Sequence, residues 1–225
     1  MRHAFMGFFM GFIALLLIPP PPAWARLHWF EYRRYKRSDF TLALTYHDGQ
    51  GRTLAKAIKE VGGHYGTAAG YFAPAQWRNV DLTVLQGEAV RPYLVQYGRP
   101  VLAVRTNGEI TIFRPKRGAA WRAPANWWFA IAGDHKVTGN LKRETIRQIV
   151  ALKGNEFFVF KIRGSYWDCK GLMKRWGISH YLFLDGASTA ARGARAPSHL
   201  IAISKKRFLQ NVHNVRLARM QGRSV

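Results

Sequence analysis

Residues 147–162 read Arg147-Gln148-Ile149-Val150-Ala151-Leu152-Lys153-Gly154-Asn155-Glu156-Phe157-Phe158-Val159-Phe160-Lys161-Ile162. Two apolar runs rich in β-branched and aromatic residues flank a Lys-Gly-Asn turn, and this pattern predicts a buried β-hairpin. Downstream, Ser165 is placed to cap a helix over 165–176. Trp167, Leu172, Met173 and Trp176 form its apolar face, Lys170, Lys174 and Arg175 its polar face, and Gly177 its stop. Residues 180–184, His-Tyr-Leu-Phe-Leu, then read as a second buried strand, which leaves through Asp185-Gly186, a pair that tolerates positive φ. The hydroxyls of Ser188 and Thr189 follow. A carboxylate at a strand end beside open N–H groups and hydroxyls suits a polar ligand, because open α/β sheets bind ligands beyond their strand C-termini. The same residues also read as a turn that satisfies only its own backbone.

Further upstream the chain reads as short strands over 40–46, 82–85, 91–96, 100–105, 109–114 and 127–132, with a last strand over 199–204. Asn107-Gly108 is the clearest hairpin signal between them. Residues 53–61 have helical spacing at Leu54, Ala57, Ile58 and Val61, with Thr53 as cap and Gly62-Gly63 as terminator. Many short strands, hairpin turns and two or three helices predict one α+β domain with a mixed, mainly antiparallel sheet. Residues 26–37 interleave Trp29, Phe30, Tyr32 and Tyr35 with Arg33, Arg34, Lys36 and Arg37. They read as an entry segment that packs its rings and leaves its charges wet, or as a segment lying on an anionic surface. Residues 205–225 lack any acid and read as a basic terminal helix and tail, with Phe208, Val212 and Val215 docking one face.

The 225 residues carry 35 Lys and Arg against 12 Asp and Glu, a formal charge of +23. Such an excess calls for anionic partners. Residues 4–18 are an uninterrupted apolar run after Arg2, followed by Pro19–Pro22 and by Ala23-Trp24-Ala25. This order reads as a signal peptide over 1–25 cleaved before Arg26, with an uncleaved anchor as the alternative. Export argues against a chromosomal nucleic-acid role and for envelope glycans or lipid headgroups, which the basic termini would meet at a membrane surface. The single cysteine, Cys169, forms no intramolecular disulfide, and Asp168 beside it makes it a poor nucleophile. Asp134-His135 reads as acid–base machinery, half a metal site or a polar turn; no zinc spacing or Walker-type loop is present, and no cofactor is expected.

Leu184-Asp185-Gly186-Ala187-Ser188-Thr189 resembles the Leu-Asp-Gly-Gly-Gly-Ser-Thr signature of the phosphodiester glycosidase family, whose bacterial members are often linked to exopolysaccharide. It is one residue shorter and has Ala187 where the family has Gly. Gly70-Tyr71-Phe72 is similar to the end of the family's Asn-Gly-Gly-Tyr-Phe motif, with Ala68 and Ala69 at the Asn and Gly. The hairpin from Arg147 looks like the family's Arg-Thr-Ala-Ile-Gly strand and its return. The order of Arg strand, hairpin, helix and Leu-Asp-Gly strand extends the likeness over about 132–204. The resemblance implies an α+β glycosidase-like domain over 26–204 that takes a sugar-1-phosphodiester or related anionic envelope glycan. It implies Asp185 as acid–base or orienting carboxylate and Arg147 as a phosphate grip. It further implies that Gly186, Ser188, Thr189, Gly70 and Tyr71 contact phosphate or sugar. Glycoside hydrolysis ordinarily uses two carboxylates. Asp134, Asp168 and Glu156 are the candidates for the second, and Asp134, at a strand end, is the preferred one. The lost Asn and the shortened glycine run favour the alternative, a non-catalytic member that binds an acidic polysaccharide for assembly or export.

Overall fold

The structure, a computed structural model, describes residues 29–47, 49–70, 72–73, 78–79, 82–91, 99–114, 126–133, 142–184 and 194–223. The elements of the N-terminal half are β1 (Trp29–Lys36), β2 (Phe40–Tyr46), β3 (Arg52–Thr53), α1 (Leu54–Val61), β4 (Tyr65–Ala68), β5 (Phe72–Ala73), β6 (Arg78–Asn79), β7 (Thr83–Leu85) and β8 (Glu88–Arg91). Then come β9 (Val101–Arg105), β10 (Ile110–Phe113), β11 (Trp127–Ala132), β12 (Thr145–Lys153), β13 (Glu156–Gly164) and α2 (Tyr166–Arg175). The chain closes with β14 (His180–Leu184), β15 (Arg195–Ala196), β16 (Ser198–Ser204) and α3 (Lys205–Met220).

Three main sheets are formed, ordered β1-β13-β12-β14, β10-β9-β11-β7-β8 and β2-β16-β4. Every described strand pairing is antiparallel. This is a single α+β domain, as the spacing of strands and turns predicts. The three sheets share one core: Val150, Phe157, Val159, Leu182 and Leu184 meet Leu42, Leu44 and Leu200, and Leu102, Phe129 and Ile131. The opposite face of β12, β13 and β14 presents Ile149, Phe160, Ile162 and Phe183 to α2 through Cys169, Leu172 and Met173. Successive strand side chains point to opposite faces. With both faces covered, the hairpin of 147–162 therefore reads as an almost continuous apolar run. Each buried Phe or Leu contributes about 1.5–3 kcal/mol.

The caps follow from local chemistry. Ser165 Oγ accepts from Asp168 N at 3.2 Å while Asp168 Oδ2 accepts from Ser165 N at 3.0 Å, a reciprocal capping box. Thr53 caps α1, and Gly62 ends it at φ 62°, in the left-handed region. Two expectations need correction. Residues 29–36 are a regular edge strand, β1, paired along its length with β13. Its rings lie on both faces of the strand, which hides the alternation. Trp167, expected on the apolar face of α2, is 52 % exposed, and Lys170 Nζ lies 5.4 Å from its ring centre. Tyr166 and Cys169 take the buried face instead. Among the described residues no helix is long and apolar enough to cross a membrane. Residues 1–25 lie outside the described residues.

Candidate active site at converging strand ends

Strand ends from all three sheets meet around a buried polar cluster. Gln148 sits on β12 opposite Leu184, the last residue of β14. Its Oε1 accepts hydrogen bonds from Thr67 Oγ1 and, at 3.2 Å, from Ala68 N, both at the end of β4. Two residues on, Gly70 N donates to Ser198 Oγ at 3.3 Å. Ser198 Oγ donates to Asn79 Oδ1 at 3.0 Å, and Asn79 Nδ2 donates to Thr83 Oγ1 at 3.0 Å. Thr67, Asn79, Thr83, Gln148 and Ser198 are all buried. Left without partners in this interior, such groups would each cost about 1–3 kcal/mol, so the network fixes the relative positions of the three sheets here.

Two glycines make the convergence close. A methyl group on Gly70 would sit 2.9 Å from Ile131 Cδ1 and 3.2 Å from Asn79 Nδ2. At the end of β11, a methyl group on Gly133 would sit 2.7 Å from the carbonyl oxygen of Phe183. Gly133 is the residue before Asp134, and Phe183 lies two residues before Asp185. The backbones that lead to the two carboxylates thus touch. Gly133→Ala is expected to force β11 away from β14 and to lower stability by about 1–3 kcal/mol. Thermal unfolding checks this, and an unchanged midpoint would remove the close approach from the account.

Asp185, Gly186, Ser188, Thr189, Tyr71 and Asp134 lie outside the described residues. Gly70 is at the centre of the convergence. Arg147 is next to Gln148 in sequence and therefore on the other face of β12, where it is 4 % exposed. Its Nε donates to Gly164 O at 3.2 Å and its Nη2 to Arg143 O at 3.0 Å. The other two candidates for the second carboxylate have structural tasks. Asp168 caps α2. Glu156 pairs with Arg34 at 3.5 Å, at the opposite end of the hairpin from Gln148. Burial pushes the Cys169 thiol up to about 12, with Asp168 adding to the shift and Arg147 opposing it, so this thiol stays protonated.

Gln148, Asn79, Ser198 and Thr67 were not anticipated as a cluster. Gln148 carried a signal, a lone carboxamide within an apolar strand; Asn79 carried none. Also unanticipated is His199, 1 % exposed on β16 between Thr45 and Ala68. Its Nδ1 has no hydrogen-bond partner among the described residues. Burial, reinforced by nearby His47, lowers its pKa from 6.5 to about 4. The unfolded chain therefore binds a proton that the folded chain refuses between these values. The stabilisation is complete above about pH 6.5 and is lost as pH falls toward 4, by an amount on the order of 3 kcal/mol. His199→Gln is expected to flatten that part of the pH–stability profile in urea unfolding. An unaltered slope would assign the dependence elsewhere.

The fold has likenesses among solved structures. The catalytic domain of zebrafish N-acetylglucosamine-1-phosphodiester alpha-N-acetylglucosaminidase, auto-inhibited by its pro-peptide, superposes with a TM-score of 0.59 at 12% identity, covering 77% of this chain and 83% of that one. A hypothetical protein from Synechocystis superposes with a TM-score of 0.56 at 11% identity, covering 77% of this chain and 58% of that one. At these identities the likeness is one of fold. No protein-family model matches the chain, and no curated protein matches it by sequence.

Proposed function

We propose that the chain is a distant, exported member of the phosphodiester glycosidase family that hydrolyses a sugar-1-phosphodiester or a related anionic envelope glycan. The observation that carries this reading is the contact between the strand ends that precede Asp134 and Asp185, beside Gly70 and its polar network. The fold shared with a glycosidase catalytic domain supports it. In the reaction, water adds its oxygen to the anomeric carbon, and one carboxylate takes the proton that water gives up. The anomeric carbon–oxygen bond breaks, and the oxygen departs with its electron pair on a phosphomonoester. Asp185 takes the acid–base or orienting role and Asp134 that of the second carboxylate. Gly186, Ser188, Thr189 and Tyr71 contact the phosphate or sugar. Arg147, the phosphate grip in this reading, has Nε and Nη2 given to the backbone carbonyls of Gly164 and Arg143, which hold it at the start of β12.

That engagement of Arg147 also favours a second reading, a non-catalytic member of the same fold that binds an acidic polysaccharide. Incubating residues 26–225 with a sugar-1-phosphodiester separates the two. Free sugar and phosphomonoester released in equal amounts support hydrolysis. Salt-sensitive binding without release supports the second reading.

A further inference from the structure

β1 carries a surface with no part in the site above. Phe30, Tyr32, Arg34 and Lys36 alternate along the strand and so share one face, two rings followed by two cations. Phe30 and Tyr32 are 43 % and 39 % exposed, with ring centres 6.1 Å apart and planes within 12°, a stacked pair. Trp176, at the end of α2, stands edge-on to Tyr32 at 5.0 Å and 88°. Beside this contact lies a groove of about 910 Å³, which Tyr32, Phe158 and Trp176 help to line. Arg34, Lys36, Lys153 and Arg175 line it, against a single acid, Glu156, which pairs with Arg34, while Lys153 Nζ donates to Trp176 O at 2.6 Å; Ser38 and Asn155 add neutral hydrogen-bonding groups. The groove is on the β1 edge of its sheet and at the Lys153–Glu156 turn, three strands from β14 and at the opposite end of the hairpin from Gln148 and Leu184.

We propose that this groove binds a segment of an acidic polysaccharide, apart from the reacting bond. Flat rings suit the C–H faces of sugars, the cations suit carboxylate or phosphate substituents, and the neutral side chains suit hydroxyls. Charge selects among occupants. Residues 1–28 and 205–225 of the chain contain no Asp or Glu and do not complement this basic lining. The choice of a glycan rests on the anionic-glycan reading of the chain, but not on catalysis. The groove serves to hold polymer on the domain, so that encounters of its other linkages with the strand-end site become intramolecular.

The test is calorimetric titration of the purified full chain with polygalacturonate, and with dextran as the uncharged control. Wild type is expected to bind polygalacturonate and not dextran. Tyr32→Ala is expected to weaken binding about tenfold, whereas Tyr32→Phe, which keeps the ring, stays close to wild type. Arg34→Ala combined with Arg175→Ala is expected to weaken binding and to flatten its salt dependence. Equal affinity in wild type and Tyr32→Ala would overturn the proposal. So would tighter, Tyr32-dependent binding of single-stranded DNA or of phosphatidylglycerol vesicles. Binding that appears only after residues 1–25 are removed would make that segment the occupant and overturn it as well. The readout involves no turnover, so it stands or falls independently of hydrolysis.

Discussion

Asp185→Asn is expected to lower the rate of sugar release from a sugar-1-phosphodiester by about 10²- to 10⁴-fold, the usual span for removing a positioned acid–base group. Asn keeps the size and one carbonyl oxygen of Asp but cannot take up a proton near neutral pH. The strand that leads to it is secured independently: β14 pairs with β12 from Leu152↔His180 to Gln148↔Leu184. The folded state therefore has no reason to change, and the melting temperature is expected to stay within a few degrees of wild type. Single-turnover rates and thermal unfolding of the same samples check both halves. A variant as active as wild type would remove Asp185 from the chemistry. A variant that loses activity together with its fold would make the residue structural.

Gln148→Leu is expected to cost roughly 2–6 kcal/mol of stability, the sum for two buried donors left without an acceptor. Leu preserves the approximate volume, so the loss is of hydrogen bonding rather than packing. The donors are Thr67 Oγ1 and Ala68 N, both facing the carboxamide oxygen. Adding Thr67→Val removes one orphaned hydroxyl, so the double variant is expected to recover about 1 kcal/mol relative to Gln148→Leu. Urea unfolding of the four proteins in this cycle measures the coupling. Additive effects would show that Gln148 and Thr67 do not act through each other. Because Gln148 ties β4 to β12, its loss also loosens the register of Gly70 and Leu184.

Much of this fold was legible wherever local chemistry decides structure. The hairpin of β12 and β13, the Ser165 and Thr53 caps, the Gly62 and Gly177 stops and the Asn107-Gly108 turn follow from propensity and periodicity alone. The order of hairpin, helix and strand was legible for the same reason, and the strand ends at Leu184. The polar network was not. Asn79 lies between short runs with no periodic pattern, and it meets Ser198 across 119 positions of sequence. Arg147 shows a different limit. A motif position identifies the residue, but alternation along β12 turns its side chain to the α2 face, while its neighbour Gln148 faces the converging strand ends. Along the edge strand β1 charges and rings occur on both faces, so no two-residue rhythm stands out in its sequence.

In the proposed reaction the adjoining strand ends before Asp134 and Asp185 carry a hydrolytic pair. The most direct measurement is the initial rate of sugar release from a sugar-1-phosphodiester by residues 26–225, compared with Asp134→Asn, Asp185→Asn and the double variant. Two carboxylates that act as one unit give non-additive losses, so the double variant is predicted to be hardly slower than the more impaired single variant. A folded wild type that releases no sugar, or single variants that retain full activity, would contradict the claim.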